Sequence, residues 1–364
     1  MAGSEGRRAP LWARLSVAVG ALLLIPAGGT VAAAEVVPAG GVIPGADVPA
    51  GAHAAPREDT REPLNFLLVG IDPRGAHTKP LADTIVVAHV PSNREDVFLF
   101  SLPRDLVVRI PAFKPSGTAA VRTKINAAMA LGSRQPNGRY NPRQGLYLLA
   151  RAVGNVTGIR WFDAAAIVNF GGFEKVVDTM GGVKVRVDQE VKSEHLRPDG
   201  RPRNRTAECR LRHACLRPYT GPQKVYPRSA APVRFRGWEA LDYVRQRYGL
   251  PRSDYDRQRH QRQFLKAMAK RVIDRDVAAI VRSAGDSLTF VDGGNTLATW
   301  LTVARRLDVR GMTSIDLPGT ALFEGGVYRG ERFLPGANAF LKAVAEDRVA
   351  SFLVDHPKAV KIDQ

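Results

Sequence analysis

Three apolar runs with turn residues at their borders restrict the fold of this chain more than any other feature. They read LNFLLVGI (64–71), ADTIVVAHV (82–90) and VFLFSL (97–102). Short, near-continuous runs of Val, Ile, Leu and Phe are typical of strands that are buried on both faces. The chain is therefore expected to contain a central sheet.

Helix and strand signals alternate after the third run. The segments that carry them are 124–131, 143–157, 165–169, 172–180, 183–187, 237–243, 244–248 and 254–273. This alternation predicts an α/β fold, in which a single α/β/α sandwich has a central mixed sheet covered by helices. Residues 192–234 interrupt the alternation, because they are rich in Pro and Arg and have little periodicity, and we interpret them as a long surface excursion.

The N-terminus has the pattern of a membrane-targeting segment. Residues 1–14 hold three arginines and one acid, and residues 15–34 hold no charged side chain. Twenty uncharged residues behind a basic flank can span a bilayer as a transmembrane signal anchor, which is our main expectation. The alternative is a signal peptide that is cleaved after the small residues 32–34, which would leave a secreted protein. Either way the working domain is expected outside the cytoplasm, behind the Pro/Gly/Ala-rich linker 35–62.

Positive charge is concentrated in one part of the chain. The 364 residues hold 53 Lys and Arg against 35 Asp and Glu, a net charge of +18, and residues 192–275 alone hold 22 cations and 8 acids. Outside a membrane, the anionic partners available to such a patch are lipids, lipid-linked phosphates and wall polymers, and not chromosomal DNA. The same compartment favours a disulfide between Cys209 and Cys215, with two free thiols as the alternative.

Charged residues follow or open the predicted strands. Asp72 follows the first strand, Asp83 opens the second, and Arg104 and Asp105 follow the third. Ligands of open α/β sheets bind at strand ends, and carboxylates there suit Mg²⁺, with Mn²⁺ as the alternative ion. Each aspartate taken alone is more often a turn or cap residue. Walker A, G-x-S-x-G and H-E-x-x-H motifs are absent from the sequence.

A second group of charged residues lies downstream. Arg245 and Arg247 stand two apart on the predicted strand 244–248, so their side chains are expected on the same side. Asp254, Arg257 and Gln261 form one stripe of the following helix. Guanidinium groups and an amide donor in this arrangement can clamp phosphate oxygens. The alternative is that these arginines form ordinary salt bridges on a solvent-exposed surface, which would show the same spacing. A clamp beside a carboxylate-held Mg²⁺ is the machinery of phosphoryl transfer.

These residues lie within ordered blocks that resemble the LytR-CpsA-Psr (LCP) family of bacterial envelope proteins, in its actinobacterial form. The blocks are NFLLVGID, ADTIVV, SLPRD, TKINAAMALG, GGFEKVVDTMGGVKVRVD, FRGWEALDYVRQR and DYDRQRHQRQF. The resemblance covers residues 63–347, which are expected to form the catalytic domain, and leaves 348–364 as a C-terminal tail.

The resemblance implies an Mg²⁺-dependent phosphotransferase. LCP proteins transfer a glycopolymer from an undecaprenyl-pyrophosphate carrier to peptidoglycan, usually to the C6 hydroxyl of muramic acid, and form a phosphodiester. By motif position, Asp72 and Asp83 match the metal-associated acids. The residues that match the pyrophosphate-binding and catalytic positions are Arg104, Arg245, Arg247, Arg257 and Gln261. Asp105 and Asp254 are the candidates for the general base, and we count Asp254 among the catalytic residues.

The resemblance also implies an apolar tunnel for the polyprenyl tail, between the sheet and its helices. Val86, Phe98 and Phe170 are candidates for its lining, but we interpret them as ordinary core residues. The sequence departs from the family pattern at two places: Leu81 and Ala82 precede Asp83 where Arg-Ser is frequent, and His260 replaces an arginine before Gln261. We expect His260 to be a solvated helix residue, with contact to a phosphate group as the alternative.

Three other functions remain as alternatives. A non-catalytic binder would hold lipid-linked or wall polymers through the basic patch without forming product. A hydrolase would cleave the pyrophosphate linkage with water as acceptor. A DNA-binding attenuator is the third, but the sequence shows no helix-turn-helix pattern, and the partners expected are the membrane, the lipid-linked glycopolymer and peptidoglycan rather than nucleic acid.

Overall fold

The structure, a computed structural model, describes residues 43–44, 62–73, 75, 77–206, 219–272, 283, 285–291 and 312–363. The basic flank 1–14, the expected membrane segment 15–34 and nearly all of the linker lie outside these residues, as do Cys209 and Cys215. Within the described residues, no helix is both long enough and apolar enough to cross a bilayer.

The described residues form strands and helices in alternation along much of the chain. The strands are β1 (Ile43–Pro44), β2 (Leu64–Ile71), β3 (Ala82–Val90), β4 (Val97–Ser101), β5 (Val107–Ile110), β6 (Val121–Lys124), β7 (Trp161–Phe162), β8 (Ala164–Asn169), β9 (Val183–Val185), β10 (Val191–Lys192), β11 (Asn204–Arg205), β12 (Tyr219–Thr220), β13 (Val225–Tyr226), β14 (Val233–Phe235), β15 (Leu288–Val291), β16 (Met312–Asp316), β17 (Gly319–Glu324), β18 (Val327–Phe333) and β19 (Lys361–Asp363). The α-helices are α1 (Ala127–Gly132), α2 (Pro142–Thr157), α3 (Phe170–Thr179), α4 (Gly237–Arg245), α5 (Asp254–Val272), α6 (Pro335–Ala345) and α7 (Val349–Asp355).

A seven-stranded mixed sheet forms the centre, with the strand order β15-β8-β2-β3-β4-β16-β19. The pairs β8/β2 and β4/β16 are parallel, and the other neighbours are antiparallel. The three apolar runs of the sequence are β2, β3 and β4, three adjacent strands, which explains why they read as continuous hydrophobic segments. The expected central mixed sheet is thus confirmed.

Each face of the sheet has its own hydrophobic core. On one face, Phe66 and Val86 pack in a cluster with residues of α3, α4 and α5, including Tyr243 and Phe264. On the other face, a second cluster joins residues of β2, β3 and β4 to α1, α2, α6 and α7. Because side chains of a strand alternate between faces, every second residue of β2 and β3 enters the same cluster. The result is a three-layer α/β/α sandwich.

The ends of α2 follow directly from its sequence. Asn141 caps the N-terminus by accepting a 3.3 Å hydrogen bond from the Gln144 backbone N–H, and Pro142 occupies the first helical turn. Gly158, with φ of 75°, ends the helix in the left-handed region, which glycine adopts without steric cost. These signals place a long helix across the second face of the sheet.

The C-terminal residues belong to the fold. Residues 348–364 were expected to be a tail, but they instead supply helix α7 and strand β19, which pairs antiparallel with β16 at the edge of the central sheet. Strand β19 has only three residues, Lys361–Asp363, and this is too short for a periodicity signal.

The described parts of the excursion 192–234 form short two-stranded ribbons instead of an unstructured loop. Strand β10 pairs with β13, β11 pairs with β12, and β14 pairs with β9. Their buried members Val191, Tyr226 and Phe235 join the first hydrophobic core. The excursion is therefore attached to the sandwich beside helix α4.

Candidate functional site

The sheet register brings three of the expected site residues to one edge. Ile71 at the end of β2 pairs with Ala82 at the start of β3, so Asp72 and Asp83 lie next to each other in the fold. Strand β4 runs antiparallel to β3 and delivers Arg104 just beyond its last residue, and Arg104 Nη1 makes a short charged hydrogen bond to Asp83 Oδ1. The strand ends named from the sequence therefore meet, as expected for an open sheet.

Arg245 and Arg247 also lie at this cluster, but the secondary structure that positions them differs from the sequence prediction. The prediction of a strand over 244–248 is wrong: Arg245 is the last residue of helix α4, and Arg247 lies in the loop that follows. The alternating pattern misleads because Tyr243 and Val244 both pack into the core from the end of this helix.

Gln246 fixes the turn between the two arginines. Its Nε2 donates to the carbonyl oxygen of Asp242 at 2.9 Å and to the carboxylate of the same residue at 2.7 Å. Its Oε1 accepts a 2.9 Å hydrogen bond from the Glu194 backbone N–H. The turn after α4 is thus held by the excursion, and both arginines line one cavity.

Helix α5 supplies a third wall. Arg257 is 5% exposed, and its Nη2 lies 2.8 Å from Asp254 Oδ1 and donates to the Asp83 carbonyl oxygen at 2.9 Å. Gln261 donates from Nε2 to the Val244 carbonyl oxygen at 3.2 Å, which links α5 to α4. Arg257 and Gln261 line the cavity, as the helical stripe predicted.

Asp105 and Asp254 stand behind the arginines. Asp254 Oδ1 lies 4.0 Å from Arg104 Nε as well as beside Arg257. Asp105 lies 3.9 Å from Arg104 Nε, and its other carboxylate oxygen is 3.1 Å from Lys124 Nζ. Neither aspartate is among the residues that line the cavity. Their contacts are with the cations that surround it.

The described lining of the cavity carries a net positive charge, with four arginines against three carboxylates. Burial lowers the pKa of Arg257, and the neighbouring charges of Arg104 and Arg247 lower it further, against the opposing effect of Asp254. Arg104 differs, because carboxylates led by Asp83 outweigh its burial and raise its pKa. Arginine stays charged in proteins. An anion in the cavity would therefore relieve repulsion around Arg257.

The head-group pocket, as we call this cavity, has a volume of about 310 Å³. It is lined by Asp72, Asp83, Thr84, Arg104, Phe170, Glu194, His195, Tyr219, Arg245, Gln246, Arg247, Tyr248, Arg257 and Gln261. Seven of the nine residues proposed for metal binding, substrate binding or catalysis from the sequence are in this set; Asp105 and Asp254 are the exceptions.

Three pocket residues from the excursion escaped the sequence reasoning. Glu194, His195 and Tyr219 form one side of the pocket, and the His195 and Tyr219 rings pack edge to face with their centroids 5.1 Å apart. The backbone N–H of Glu194 donates to Gln246, which lies 52 residues further along the chain, so no local pattern marks these residues. The nearest signal is the basic composition of this segment.

An apolar cavity adjoins the head-group pocket. It has a volume of about 140 Å³ between the sheet and helices α3, α4 and α5. The two cavities share four lining residues: Thr84, Phe170, Arg245 and Gln261. At this boundary the Arg245 guanidinium lies 4.2 Å from the centre of the Phe170 ring, a cation–π contact that joins the charged and apolar surfaces.

The residues considered for a tunnel divide between the two faces of the sheet. Val86 and Phe170 both line the apolar cavity. Val86 is also fully buried in the core, as expected, whereas Phe170 is only partly buried, so the interpretation as ordinary core was wrong for Phe170. Phe98 belongs to the core on the opposite face, as expected. The prediction for His260 was also wrong: it is fully buried, packs 4.6 Å from the Tyr243 ring and lies 3.2 Å from Asp188, away from the pocket.

The carboxylates at the pocket suit a metal ion whose remaining coordination positions are filled by the substrate and water. Asp72 and Asp83 both line it, and Asp72 Oδ2 is 4.0 Å from Arg245 Nη2. Among the residues that the structure describes, no three His, Cys, Asp or Glu side chains form a metal-binding group. Mg²⁺ is commonly bound by one or two carboxylates together with water and phosphate oxygens, so two carboxylates in an anion pocket match its requirements.

Taken together, the arrangement suits an amphipathic phosphate ester. Four guanidinium groups and two glutamine amides surround a space of the size of a small anionic head group. The adjoining cavity is lined almost wholly by apolar side chains. A ligand with a phosphate group on one side and a hydrocarbon on the other would satisfy both surfaces.

Comparisons with known sequences agree with the sequence resemblance. The family model of the LytR_cpsA_psr family matches residues 46–329. A Bacillus cereus protein named polyisoprenyl-teichoic acid–peptidoglycan teichoic acid transferase TagU is 26% identical over 230 residues, which is 63% of this chain and 58% of that protein. Its Bacillus subtilis namesake is 25% identical over 276 residues, 74% of this chain and 72% of that protein.

A third relative has a different name. Biofilm regulatory protein A of Streptococcus mutans is 24% identical over 221 residues, which is 59% of this chain and 45% of that protein. The chain thus spans only about half the length of some curated relatives that it matches, with 58% and 45% for the Bacillus cereus and Streptococcus mutans proteins.

Solved structures share the fold. A Streptococcus agalactiae protein superposes with a TM-score of 0.60 at 19% identity, covering 80% of this chain and 90% of that one. A structure described as TagT bound to LI-WTA superposes with a TM-score of 0.54 at 22% identity, covering 79% of this chain and 90% of that one. At these identities the similarity is one of fold.

Proposed function

The chain belongs to the LytR-CpsA-Psr family, and from that premise we propose that it transfers a glycopolymer from a polyprenyl-pyrophosphate carrier to peptidoglycan. The observation that carries the proposal is the junction of the two cavities. A pocket with four arginines opens at Thr84, Phe170, Arg245 and Gln261 into an apolar cavity. A pyrophosphate attached to a polyprenyl chain is complementary to such a junction.

The names of relatives support the same reaction. Two relatives, from Bacillus cereus and Bacillus subtilis, are named polyisoprenyl-teichoic acid–peptidoglycan teichoic acid transferases. The structure of TagT bound to LI-WTA has the same fold as this chain. The proposal for this chain is the transfer of a carrier-linked polymer, and it does not specify which polymer.

The arginines bind and orient the pyrophosphate. Arg245, Arg247 and Arg257 contact its oxygens from α4, the following loop and α5, and Arg104 does so from the end of β4. The acceptor hydroxyl, the C6 hydroxyl of muramic acid, attacks the phosphorus that carries the sugar. The bridging P–O bond breaks, polyprenyl monophosphate departs, and a phosphodiester joins the polymer to the acceptor. Guanidinium groups held in place before the reaction stabilise the charge that develops on the leaving group.

A bound Mg²⁺, or Mn²⁺ in its place, would be held by Asp72 and Asp83 and would supply neutralising charge at the pyrophosphate oxygens. The hydroxyl proton passes to a carboxylate, for which Asp105 and Asp254 are the candidates. Asp254 also positions two cations, since it touches both Arg257 and Arg104. The variants Asp254→Asn and Asp105→Asn distinguish a general base from a positioning residue. Loss of the general base removes the acidic limb of the pH–rate profile. Loss of a positioning contact lowers the rate but leaves that limb in place.

The proposed location is outside the cytoplasm, where peptidoglycan and carrier-linked polymers meet. Residues 15–34 anchor the chain in the membrane by this proposal, with cleavage and secretion as the alternative. A reporter that works only outside the cytoplasm, fused after Gln364, should be active. A reporter active only inside would overturn the location and revive the DNA-binding attenuator.

The transfer itself is tested with the full chain, a polyprenyl-pyrophosphate-linked saccharide, Mg²⁺ and a peptidoglycan oligomer. Mass spectrometry should find saccharide joined to the acceptor, and Arg245→Ala should lower the rate by about 10²–10³-fold, as expected for loss of one preorganised donor. If Arg245→Ala transferred the saccharide at the wild-type rate, Arg245 would not belong to the group of arginines that binds the pyrophosphate. Release without joining would identify a hydrolase, and tight binding without release a non-catalytic binder.

A further inference from the structure

Helix α5 has a second basic surface on the side turned away from the head-group pocket. Arg257 and Gln261 line the pocket, whereas Arg259, Gln263, Lys266 and Lys270 line a separate groove of about 960 Å³. The two sets of lining residues have no member in common. We call this second cavity the basic groove.

Three parts of the fold form the walls of the basic groove. Helix α5 is one wall, the β9/β14 ribbon with the loop before β14 is the second, and the edge strand β19 is the third. Its cationic side chains are Lys184, Arg186, Arg228, Arg234, Arg259, Lys266, Lys270, Arg271 and Lys361. The cations thus converge on a concave space instead of facing outward from a convex surface.

Two carboxylates, Asp188 and Asp363, are among the described lining residues, and both already have cationic partners. Asp188 lies 2.8 Å from Arg259 Nε and 3.2 Å from His260, and Asp363 is held by the buried Arg262. Among the lining cations, only Arg259 forms an ion pair with a carboxylate in the part of the chain that the structure describes. The other eight lining cations make no carboxylate ion pair within the described residues, although Arg271 Nε donates a 3.3 Å hydrogen bond to the Met180 carbonyl oxygen.

Two like-charged pairs face this groove. Lys184 of β9 stands directly opposite Arg234 of β14 in the strand register, and both side chains are exposed. Lys266 and Lys270 stand four residues apart on α5, and burial together with the charge of Lys270 lowers the pKa of Lys266. Like charges in cross-strand or i,i+4 positions destabilise a fold, and an anion placed between them removes that cost.

We propose that the basic groove is a second binding site, and that it takes a linear polyanion with several phosphate or carboxylate groups along its length. The nine cations of the groove and their spread over three walls favour a chain of anionic groups over one anion. Its concavity favours a soluble strand over a flat membrane surface. The site is independent of the proposed transfer, because binding there requires no reaction in the head-group pocket.

Calorimetric titration of the full chain with inorganic polyphosphate of uniform length tests the site. Polyphosphate should bind, and log affinity should fall linearly with log salt concentration. Lys266→Gln/Lys270→Gln and Lys184→Gln/Arg234→Gln should each weaken binding by about tenfold or more and flatten the salt dependence. Both variants should melt at or above the wild-type temperature without ligand, because each removes a repulsive pair.

The matched control is Lys342→Gln/Lys358→Gln, which removes two exposed charges outside the groove. It should bind polyphosphate as the wild type does. The proposal is overturned if this control weakens binding as much as the groove variants, or if orthophosphate at equal total phosphate binds as tightly. Loss of polyphosphate binding in Arg247→Ala would assign the polyanion to the head-group pocket. Vesicles rich in phosphatidylglycerol that bind through Lys266 and Lys270 would assign the groove to the membrane surface.

Discussion

At the scale of single residues, the site depends on how each guanidinium is held. Arg257 is 5% exposed and is tied to the Asp254 carboxylate and the Asp83 carbonyl oxygen by one nitrogen. Its Nε has no hydrogen-bond partner within the described residues. A buried charged donor left without a partner is expensive, and a substrate oxygen is the natural partner in a pocket of this composition.

Arg257→Lys should therefore lower the rate of transfer by about 10²-fold, although it keeps the charge. A lysine has one compact ammonium and cannot contact Asp254, Asp83 and the substrate in a fixed geometry. Steady-state kinetics with saturating acceptor would measure the loss in kcat. Arg122→Lys, an exposed residue paired with Glu324, is the control and should keep the wild-type rate. An Arg257→Lys enzyme with unchanged kcat would show that charge alone suffices.

Asp188 makes the stability of the fold depend on pH. Burial opposes its ionisation, but the hydrogen bond from His260 and the charge of Arg259 outweigh it and lower the pKa of Asp188 from 3.8 to about 2. A depressed folded-state pKa contributes stability that is present above about pH 4 and is lost as the pH falls through 2. The contribution is about 1–2 kcal/mol, allowing for partial exposure.

Asp188→Asn should thus flatten the plot of unfolding free energy against pH in this window. Urea denaturation at a series of pH values from 5 to 2 would measure the slope for both proteins. Parallel curves for the variant and the wild type would mean that Asp188 titrates alike in the folded and unfolded chains.

At the scale of elements, helix α5 has three separate tasks. One stripe enters the head-group pocket, another lines the basic groove, and a third buries Arg262 against the sheet. Arg262 is fully buried, its Nη2 lies 2.6 Å from Asp363 Oδ2 of β19, and it contacts Ser314 and Asp316 of β16. This one side chain connects α5 to the last two strands at the sheet edge.

Arg262→Ala should destabilise the protein by about 3–5 kcal/mol, because the carboxylate of Asp363 would stay buried without its cation. Asp316 would keep its ion pair with Arg252. Chemical denaturation measures the change in unfolding free energy. Arg348→Ala provides the contrast, since its pair with Glu346 is exposed and should contribute little to the free energy of unfolding. Similar losses in both variants would contradict the special role of the buried cluster.

The apolar cavity is an element-scale feature as well, since α3, α4 and α5 enclose it against the sheet. Val168 at the end of β8 lines it and lies outside the head-group pocket. Val168→Phe should fill part of the space of about 140 Å³ and raise KM for donors with long prenyl chains. Donors with a short prenyl chain are the internal control and should be affected less. An equal rise for both donors would mean that the cavity does not receive the prenyl chain.

At the scale of the whole molecule, the features that the sequence predicts are those set by local pattern. The sequence predicts strands β2, β3 and β4 because both of their faces are buried, which gives continuous apolar runs. It predicts helix α2 because Asn141 and Gly158 mark its ends. The meeting of Asp72, Asp83 and Arg104 follows from strand direction. The turn after Arg245 was mispredicted because Gln246 is held by Glu194, a partner from another part of the chain.

The same cause explains the other features that sequence reasoning missed. Strand β19 exists through its pairing with β16 and its contact with Arg262, and three residues carry too little periodicity to reveal it. Glu194, His195 and Tyr219 reach the head-group pocket through ribbons of two residues per strand. Long-range contacts, and not local preference, place these residues.

The measurement that tests the central claim most directly is the identity of the polyprenyl product. The full chain would be incubated with a polyprenyl-pyrophosphate-linked saccharide, with and without a peptidoglycan oligomer, and the lipid analysed by mass spectrometry. Attack at phosphorus predicts polyprenyl monophosphate in amounts equal to the phosphate gained by the acceptor, and none without acceptor. Polyprenyl pyrophosphate as the product, with no phosphate in the joined polymer, would show attack at the sugar carbon and would contradict the account.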